Sequence, residues 1–439
     1  MGKGSASNLA PMSRHALLAA SAAGALLGLC APALTHASQV TLLGRDGHAV
    51  ARNDPYLAPA ALEPALPGAV TAADAPAGPG TGRDTRVAPS AGRPRVVDRN
   101  VRTELARLYR THRIDRAHYV RYLNSFNSSL SSVKRLRGTR AVELEAVIEN
   151  VHGIAAAGEL TPSRLPVLFL TLDRNRRWWT HGPLLSSGQR VQFGGSQIVW
   201  EYYAGQGIAL QELGSWGQAD WMFAAGRKFW PRLRSLVDEL IPLGVDRGGG
   251  LAWEYYFNFD GGAPPWTSAM SQGTAVQALT QTYEATHDAT YLDLARRSLP
   301  IFSDEPPVGV GVRTARGRRY LLYSFAPDPQ VAVINGFLQT LIGLFDYAKV
   351  SGDPVGQRLF AAGDAEARAE LPRYDTGSWS LYQPGVEDSL DYHTLVTDFL
   401  HQLCSRTHAQ VYCTTAVHFD RYLKHPPPFA TRDVSRARG

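Results

Sequence analysis

The sequence predicts a mainly α fold, an α/α toroid of helical hairpins, incomplete or closed into a barrel, with short β-hairpins at one end. Three observations predict it: a weak internal repeat, helical periodicity from residue 101 onwards, and aromatic, glycine-rich stretches that recur between the repeats. With 439 residues, of which 44% are hydrophobic, the chain can bury a large core.

The repeat consists of four segments in which a polar residue or a tyrosine precedes Gly or His. They are residues 206–210, 272–276, 335–338 and 392–395, spaced 66, 63 and 57 residues apart. We expect each segment to open an amphipathic helix that ends at a turn signal, after which a second helix follows. The turn signals are residues 214–217, 287–288, 351–354 and 406–408. Such hairpins bury their apolar faces only against one another, in a superhelix or a toroid.

Aromatic stretches precede the repeated helices at residues 199–203, 252–257 and 320–325. They favour the toroid, because equivalent loops then gather at one end of the ring, where we expect the binding site. The alternative is that these aromatic residues belong to short hairpin strands that pack on the helices.

The first hundred residues are typical of a targeting segment followed by a linker. Lys3, Arg14 and His15 precede the apolar run 16–29, which indicates an export signal over residues 1–37 that is cut after Ala37. The run is shorter than the roughly 20 residues that span a bilayer, so an uncleaved signal is the one membrane contact expected. Residues 38–100, rich in Ala, Pro and Gly, are predicted to be a disordered linker. We therefore expect an exported protein, whether periplasmic, extracellular or at the cell surface.

Charge and cysteine content exclude several classes of partner. The 45 Lys and Arg stand against 39 Asp and Glu without a block of like charges, so no nucleic-acid partner is expected. The three cysteines are too few and too widely spaced for a thiolate zinc site, and phosphate-loop, dinucleotide and zinc-protease motifs are absent. No metal or cofactor is expected. Cys404 and Cys413 either form a disulfide in an oxidising compartment or remain two buried thiols.

The densest group of reactive side chains lies at residues 374–382, which read Tyr-Asp-Thr-Gly-Ser-Trp-Ser-Leu-Tyr, and at 391–393, which read Asp-Tyr-His. This group resembles the C-terminal domain of the D-glucuronyl C5-epimerase family, which carries a similar Tyr-Asp-Thr-Gly-Ser run and a following Asp-Tyr-His-Thr. The resemblance extends to Trp-Thr-Ser-Ala-Met-Ser-Gln-Gly at 266–273 and to Asn-Gly-Phe at 335–337. We therefore divide a folded domain at 101–430 into an N-terminal helical part, 101–195, and an epimerase-like region, 196–425.

The resemblance implies an α/α barrel that inverts C5 of hexuronic acid residues within an acidic polysaccharide. The C5 proton is removed on one face of the sugar and a proton returns on the other, without a redox cofactor. Tyrosines matching Tyr382 and Tyr392 take part in proton transfer in the family, so we expect these two phenols on opposite sides of one sugar.

One position departs from the family pattern. Where the family has a glutamate base before the Asn-Gly-Phe motif, an ungapped alignment places Ser324. Serine alone cannot act as that base, and Asp328, Glu254 and Glu201 are the candidate replacements. Two alternatives to the epimerase therefore remain: a polysaccharide lyase, which begins with the same proton abstraction, and a non-catalytic glycan-binding homologue.

Further side chains are candidates for substrate binding, each with a structural alternative. Arg319 and Arg373 could pair with uronate carboxylates, and Trp266 could stack on a sugar or fill the core. Gln272 and Asn335 could reach hydroxyl groups or cap helices. The remaining candidates are Tyr203, Glu254 and His393.

Overall fold

The computed structural model describes residues 38–54, 100–325 and 332–430. The expected export signal and Asp328 lie outside these residues, as does most of the expected linker. Among the residues described, no helix combines the length and the apolar character needed to cross a membrane.

Four helices begin the main body and confirm the helical entry. They are α1 (Val101–Arg110), α2 (Arg116–Val133), α3 (Thr139–Ala156) and α4 (Leu165–His181). Asn100 and Thr103 form a capping box at the start of α1, and the Asp115 carboxylate accepts the His118 N–H at the start of α2. Helices α2, α3 and α4 pack on one another.

A five-stranded sheet follows, in the order β2-β1-β3-β4-β5. Its strands are β1 (Ser38–Leu43), β2 (Ala49–Asp54), β3 (Arg190–Phe193), β4 (Trp200–Tyr203) and β5 (Gly207–Leu210). Strand β1 runs parallel to β3, and the other pairs are antiparallel. The prediction of a disordered linker is therefore wrong for residues 38–54. Val40 and Leu43 are buried, and the pairing that orders them comes from β3, far along the chain.

Four helical hairpins make up the rest of the fold. The first helices are α5 (Glu212–Ala224), α7 (Ala269–Thr286), α10 (Ile334–Ser351) and α12 (Leu390–Thr407). The second helices are α6 (Trp230–Leu240), α8 (Ala289–Ser298), α11 (Pro354–Glu370) and α13 (Gln410–Tyr422), and the short helix α9 (Pro300–Ser303) follows α8. The first helices pack in the succession α5, α7, α10, α12, and each second helix packs on its own partner. This inner and outer layering confirms the mainly α toroid of hairpins.

Three of the four predicted turns are confirmed. His287, Gly352 and His408 end helices in the left-handed conformation, at φ 57°, 67° and 54°. The signal at residues 214–217 is wrong, because these residues lie inside α5. The repeat segment at 206–210 is strand β5 rather than a helix start. There the Asn175 side-chain amide holds the strand, accepting the Ile208 N–H at 2.8 Å and donating to the Ile208 carbonyl at 2.7 Å.

Short antiparallel strand pairs connect the second helix of each hairpin to the next first helix. They are β6 (Val245–Arg247) with β7 (Gly250–Ala252), β8 (Gly311–Arg313) with β9 (Arg318–Tyr320), and β10 (Leu381–Gln383) with β11 (Val386–Glu387). Trp266, after β7, meets Tyr323, after β9, with ring centroids 5.5 Å apart. The connections that carry Trp266 and Tyr323 therefore meet at one end of the helical layer.

Glycines set the separation of two inner helices, α7 and α10. A Cβ on Gly273 would lie 2.6 Å from the Thr340 Cα, and a Cβ on Gly343 would collide with the Gly273 carbonyl. The two backbones are therefore in direct contact, as side chains at these positions would not permit.

A disulfide joins Cys404 to Cys413 across the turn between α12 and α13. Of the two alternatives for these cysteines, the structure shows the pair.

Candidate active site

An aromatic cluster fills the end of the helical layer where the connections meet. Trp266 lies at its centre, with Tyr255 stacked on its face at 4.3 Å and the edge of Phe325 at 5.3 Å. The Trp266 indole N–H donates to the Phe257 carbonyl at 2.9 Å. Of the two alternatives for Trp266, the structure shows the core residue, because protein rings cover it and 4% of its surface is exposed.

Tyr323 stands at the edge of this cluster and is the residue that sequence reasoning missed. Its ring stacks on Phe325, with centroids 5.1 Å apart, and its hydroxyl is buried without a hydrogen-bond partner among the described residues. Burial raises the pKa of the Tyr323 phenol, and the nearby Tyr382, Tyr392 and Asp260 raise it further. The hydroxyl is therefore an unused donor close to both tyrosines that the family resemblance nominates.

Tyr382 and Tyr392 come together from strand β10 and the first turn of α12. Ser389 caps that helix and accepts the Tyr392 N–H at 3.3 Å, which fixes where the Tyr392 side chain leaves the backbone. The two rings touch, with centroids 5.1 Å apart and planes inclined by 49°. Each residue is 8% exposed. Contacting rings leave no space for a sugar between them, so the expectation that these two phenols flank opposite sides of one sugar is wrong for this conformation.

The Tyr323 and Tyr382 phenols are proton donors at neutral pH. Burial raises the pKa of Tyr382, and the nearby Asp388 and Asp260 carboxyl groups raise it further. Asp260 is exposed and sits in a tight turn, with φ 43°. A carboxylate thus lies beside a group of neutral hydroxyls, an arrangement able to accept one proton and donate others.

A buried hydrogen-bonded chain supports Tyr382 and Tyr392 from below. The Ser380 hydroxyl contacts the Asp388 carboxyl and lies 2.7 Å from Nδ1 of His393. His393 Nε2 faces the Phe419 carbonyl at 3.1 Å, so Nε2 carries the proton and Nδ1 must accept one from Ser380. Ser380 can then only accept from Asp388, which requires a protonated carboxyl. Burial raises the pKa of Asp388 to about 7 and lowers that of His393, in agreement with a neutral chain.

His393 is therefore a positioning residue in this conformation. It is 0% exposed, both ring nitrogens have protein partners, and Trp379 stacks on it at a centroid distance of 3.7 Å. The structure does not present it to a ligand, which corrects the expectation that it binds substrate.

Glu254 is equally withdrawn from the site. Its carboxylate accepts from Arg164 at 2.7 and 2.8 Å, from Arg247, and from the Tyr256 hydroxyl at 3.0 Å. Although burial alone would raise it, the two guanidinium groups hold the pKa of Glu254 below its usual value. An ion-paired carboxylate with a lowered pKa is a poor base, so Glu254 does not replace the missing glutamate.

Ser324 belongs to the same buried network. Its hydroxyl accepts the Thr267 N–H at 3.1 Å and lies 3.4 Å from an Arg247 nitrogen, and the residue is 0% exposed. Of the other candidate replacements, Glu201 is paired across the sheet with Arg190 at 3.9 Å, and Asp328 lies outside the described residues. Asp260 is the carboxylate whose charge reaches the phenols.

Gln272 and Asn335 occupy equivalent positions on α7 and α10 and are both buried. The Gln272 amide donates to the Trp253 carbonyl at 2.7 Å, and the Asn335 side-chain oxygen accepts the Gly336 N–H at 2.6 Å. The second polar atom of each amide has no partner in the described part of the chain. Neither residue caps its helix through the side chain, since Ser268 caps α7 and no side chain caps α10.

The other substrate-binding candidates are dispersed. Arg319 is buried, pairs with Glu370, donates to the Val333 carbonyl at 2.9 Å and covers the Phe337 ring at 4.5 Å, so the structure corrects its assignment to a uronate carboxylate. Arg373 is exposed. The Tyr203 hydroxyl accepts from Gln211 at 2.6 Å and its ring stacks on Phe257. Ligand binding by Arg373 and Tyr203 stays a prediction.

The sequence around Asp260 and around Tyr323 contains features that could have indicated these residues as site candidates. Asp260 begins an Asp-Gly-Gly turn, and Tyr323 directly precedes the position where the family glutamate is missing. Neither feature shows that the two residues influence Tyr382 electrostatically, because each stands on a different connection. Within the described residues, no group of three or more His, Cys, Asp or Glu side chains is arranged to hold a metal ion.

Fold and site together define an α/α-toroid protein with a phenol-rich site at the end where its connecting strands converge. Residues 248–421 match the family model described as the D-glucuronyl C5-epimerase C-terminus. A D-glucuronyl C5-epimerase of Caenorhabditis elegans is 33% identical over 131 residues, which cover 27% of this chain and 21% of that protein. An uncharacterized protein of Methanocaldococcus jannaschii is 28% identical over 139 residues, 30% of this chain and 44% of that protein. The chain thus spans less than half the length of either relative.

Solved structures resemble the chain more distantly. A cellobiose 2-epimerase from Bacillus thermoamylovorans overlaps 49% of this chain and 61% of its own, with 12% identity and a TM-score of 0.37. A cellobiose 2-epimerase from Spirochaeta thermophila overlaps 65% of this chain and 73% of its own, with 14% identity and a TM-score of 0.37. Both TM-scores are low, so the fold assignment rests on the helical pairing described above and not on these structures.

Proposed function

We propose that this protein is a C5-epimerase of hexuronic acid residues, D-glucuronyl residues in the first instance, within an acidic polysaccharide. One observation carries the proposal. The rings of Tyr382 and Tyr392 are in contact, and the charge of the exposed Asp260 raises the pKa of both Tyr382 and Tyr323.

The reaction divides between a carboxylate and phenols. The C5 proton passes to the Asp260 carboxylate, and the electron pair of the broken C–H bond moves into the uronate carboxylate. Protonated phenols donate hydrogen bonds to the negative charge that develops there, as donors in a water-poor site do. A phenol then delivers its proton to the opposite face of C5, and solvent restores both groups to their starting states.

The contact between Tyr382 and Tyr392 limits which face of the sugar each group can serve. Since the two rings lie side by side, they act on one face of the sugar, and the opposite face belongs to Asp260 or Tyr323. The neutral Asp388, Ser380 and His393 chain holds the rings in place without adding a charge beneath them.

A second candidate function is non-catalytic glycan binding. Ser324, at the position of the family glutamate, is fully buried, and Glu254 is held by two arginines. A chain without a working base would keep the aromatic cleft and the hydroxyl donors but would not exchange the C5 hydrogen.

Export remains part of the proposal. The apolar run near the start of the chain supports it, and the Cys404–Cys413 disulfide suits the oxidising conditions outside the cytosol. The substrate would then be an extracellular or cell-surface glycan.

Solvent exchange at C5 tests the function directly. The full chain is incubated in D₂O with glucuronate-containing polysaccharides, and deuterium at C5 is read by NMR. We expect wild type to incorporate deuterium without shortening the chain. Tyr392→Phe, Tyr323→Phe and Asp260→Asn should each lose about 100-fold or more of the rate, the usual contribution of a positioned acid or base. Tyr109→Phe, which removes a phenol from α1, is the matched control.

Each outcome selects one function. An ultraviolet-absorbing unsaturated uronate with chain cleavage identifies a lyase. Binding without deuterium incorporation identifies a glycan-binding protein. Equal exchange by wild type and the three site variants would overturn the assignment of these residues.

A further inference from the structure

A basic groove runs between helices α2 and α4, on the N-terminal helices outside the family match. It consists of two hollows of about 540 and 530 Å³ that share Ser132, Arg135 and Arg176. Each volume lies within the range of ligand-binding clefts. Because the two hollows share three lining residues, the groove suits an extended ligand better than a compact one.

Positive charge dominates the first hollow. Its charged and titratable lining consists of Arg135, Arg174, Arg176, Arg177, His181 and Asp173. The carboxylate in this set is already engaged, since Asp173 accepts the Ser125 hydroxyl at 2.8 Å and lies 3.5 Å from Arg176. Four guanidinium groups among the described lining residues therefore face one carboxylate, which leaves a surplus for an anion.

Two of these guanidinium groups have unused donors. Nε of Arg174 and Nε of Arg176 are buried and have no hydrogen-bond partner among the described residues. Burial lowers the pKa of Arg174 and the neighbouring Arg177 lowers it further, which Glu239 and Asp173 offset only in part. Crowded cations that keep unused hydrogen-bond donors in a concave site are stabilised by an anionic ligand.

The arginines are held in place before any ligand arrives. The Arg174 guanidinium lies over the Phe193 ring at 4.7 Å, and Arg177 donates to the Gly44 carbonyl in the turn between β1 and β2. Fixed guanidinium forks are suited to carboxylates or sulfates, which they bind through two parallel hydrogen bonds.

Uncharged polar groups dominate the second hollow. Besides the shared residues it is lined by Asn124, Asn127, Ser128 and Ser131. Amides and hydroxyls are the usual partners of sugar hydroxyls. No aromatic ring from the described part of the chain lines either hollow, whereas proteins that bind single-stranded nucleic acids supply rings on which bases stack.

We propose that this groove is a second binding site for an acidic polysaccharide, separate from the aromatic cluster. Carboxylate or sulfate groups of the chain pair with the arginines of the first hollow, and sugar hydroxyls bond to the amides and hydroxyls of the second. That the glycan is the substrate rests on the proposed function, whereas anion binding by the groove does not.

The experiment measures binding of a fluorescent polyuronate by the full chain. The test variant is Arg135→Gln with Arg176→Gln, two groove arginines whose side chains contact the nearby Ser132 and Asp173 among the described residues. The control is Arg113→Gln with Arg116→Gln, which removes the same charge from exposed positions outside the groove. We expect the test variant to lose about tenfold or more in affinity, as loss of charge-assisted hydrogen bonds predicts, and the control to lose less than about twofold. Circular dichroism of all forms verifies folding.

Further measurements separate the possible failures. C5 exchange in the Arg135/Arg176 variant should show a raised KM for long chains but not for a trisaccharide. Equal losses in test and control variants would overturn the groove as a specific site. Polyphosphate that binds as tightly as polyuronate would overturn its identification as a glycan site. Binding by wild type without any C5 exchange would leave the groove intact and overturn the proposed function.

Discussion

Replacing Asp388 by asparagine tests the neutral hydrogen-bonded chain beneath the candidate site. The Asp388 carboxyl is 2% exposed, and burial raises its pKa from 3.8 to about 7. The folded protein therefore keeps a proton that the unfolded chain releases near pH 4. As pH rises from about 4 to about 7, the free energy of unfolding falls, and above pH 7 this carboxyl contributes no further change. At about 1.4 kcal/mol per pH unit, the total over this interval is about 4 kcal/mol.

The asparagine side chain of this variant does not titrate and can still donate to Ser380. The free energy of unfolding of Asp388→Asn minus that of wild type should therefore increase by most of about 4 kcal/mol between about pH 4.5 and about pH 8. Urea denaturation at both pH values measures the difference, and Asp391→Asn, which changes an exposed carboxylate on α12, serves as the control. A difference that changes by less than about 1 kcal/mol between the two pH values would refute the protonated state of Asp388.

Three further variants have defined expectations. Tyr323→Phe removes a buried hydroxyl that has no partner among the described residues. We therefore expect an unchanged or slightly raised free energy of unfolding in urea, together with lost C5 exchange. A decrease of more than about 1 kcal/mol in the free energy of unfolding would show a hidden partner. Glu254→Gln leaves two buried arginines without their carboxylate and should lower the free energy of unfolding by about 3 kcal/mol. A decrease of less than about 1 kcal/mol would contradict the ion-pair network. Cys404→Ser with Cys413→Ser opens a short loop and should lower the free energy of unfolding by about 2 to 3 kcal/mol, because the unfolded chain gains entropy. An unchanged thermal unfolding temperature in this variant, or in wild type treated with a reductant, would contradict a stabilising disulfide.

Local signals predicted the parts of the fold that depend on neighbouring residues. His287, Gly352 and His408 end their helices where the sequence placed turns, because a left-handed cap is decided within a few residues. Segment 206–210 could not be assigned in this way. Its strand depends on the Asn175 amide, which comes from α4, and on pairing with β4.

The N-terminal hairpin shows the same limit. Its Ala- and Pro-rich surroundings indicate a linker, and the parallel pairing that orders this segment joins Thr41 to Val191, far apart in sequence. Composition describes a segment in isolation and carries no information about a distant strand edge.

In the candidate site, too, local sequence predicted some of the residues and not the others. Tyr382 and Tyr392 could be found from a contiguous motif, whereas Asp260 and Tyr323, which interact electrostatically with Tyr382, stand on other connections of the toroid. Their proximity follows from how the hairpins pack, which no single window of sequence contains. Arg319 and Glu254 were misassigned for a related reason. The sequence beside a motif does not distinguish a charged side chain that faces a ligand from one that pairs with a buried counter-ion.

The contact between Gly273 and Gly343 has a consequence for how this scaffold can diversify. Trp266 stands three residues before α7, and Tyr323 lies on the chain between β9 and α10, so the spacing of the two helices that these glycines bring together contributes to the distance between the two rings. Exchanging side chains at the rim alters the chemistry of the cleft and leaves its width in place. A wider mouth, for a branched or more heavily substituted glycan, requires replacing a glycine remote from any sugar, and sequences that carry alanine or serine at either position are where such a change should be sought.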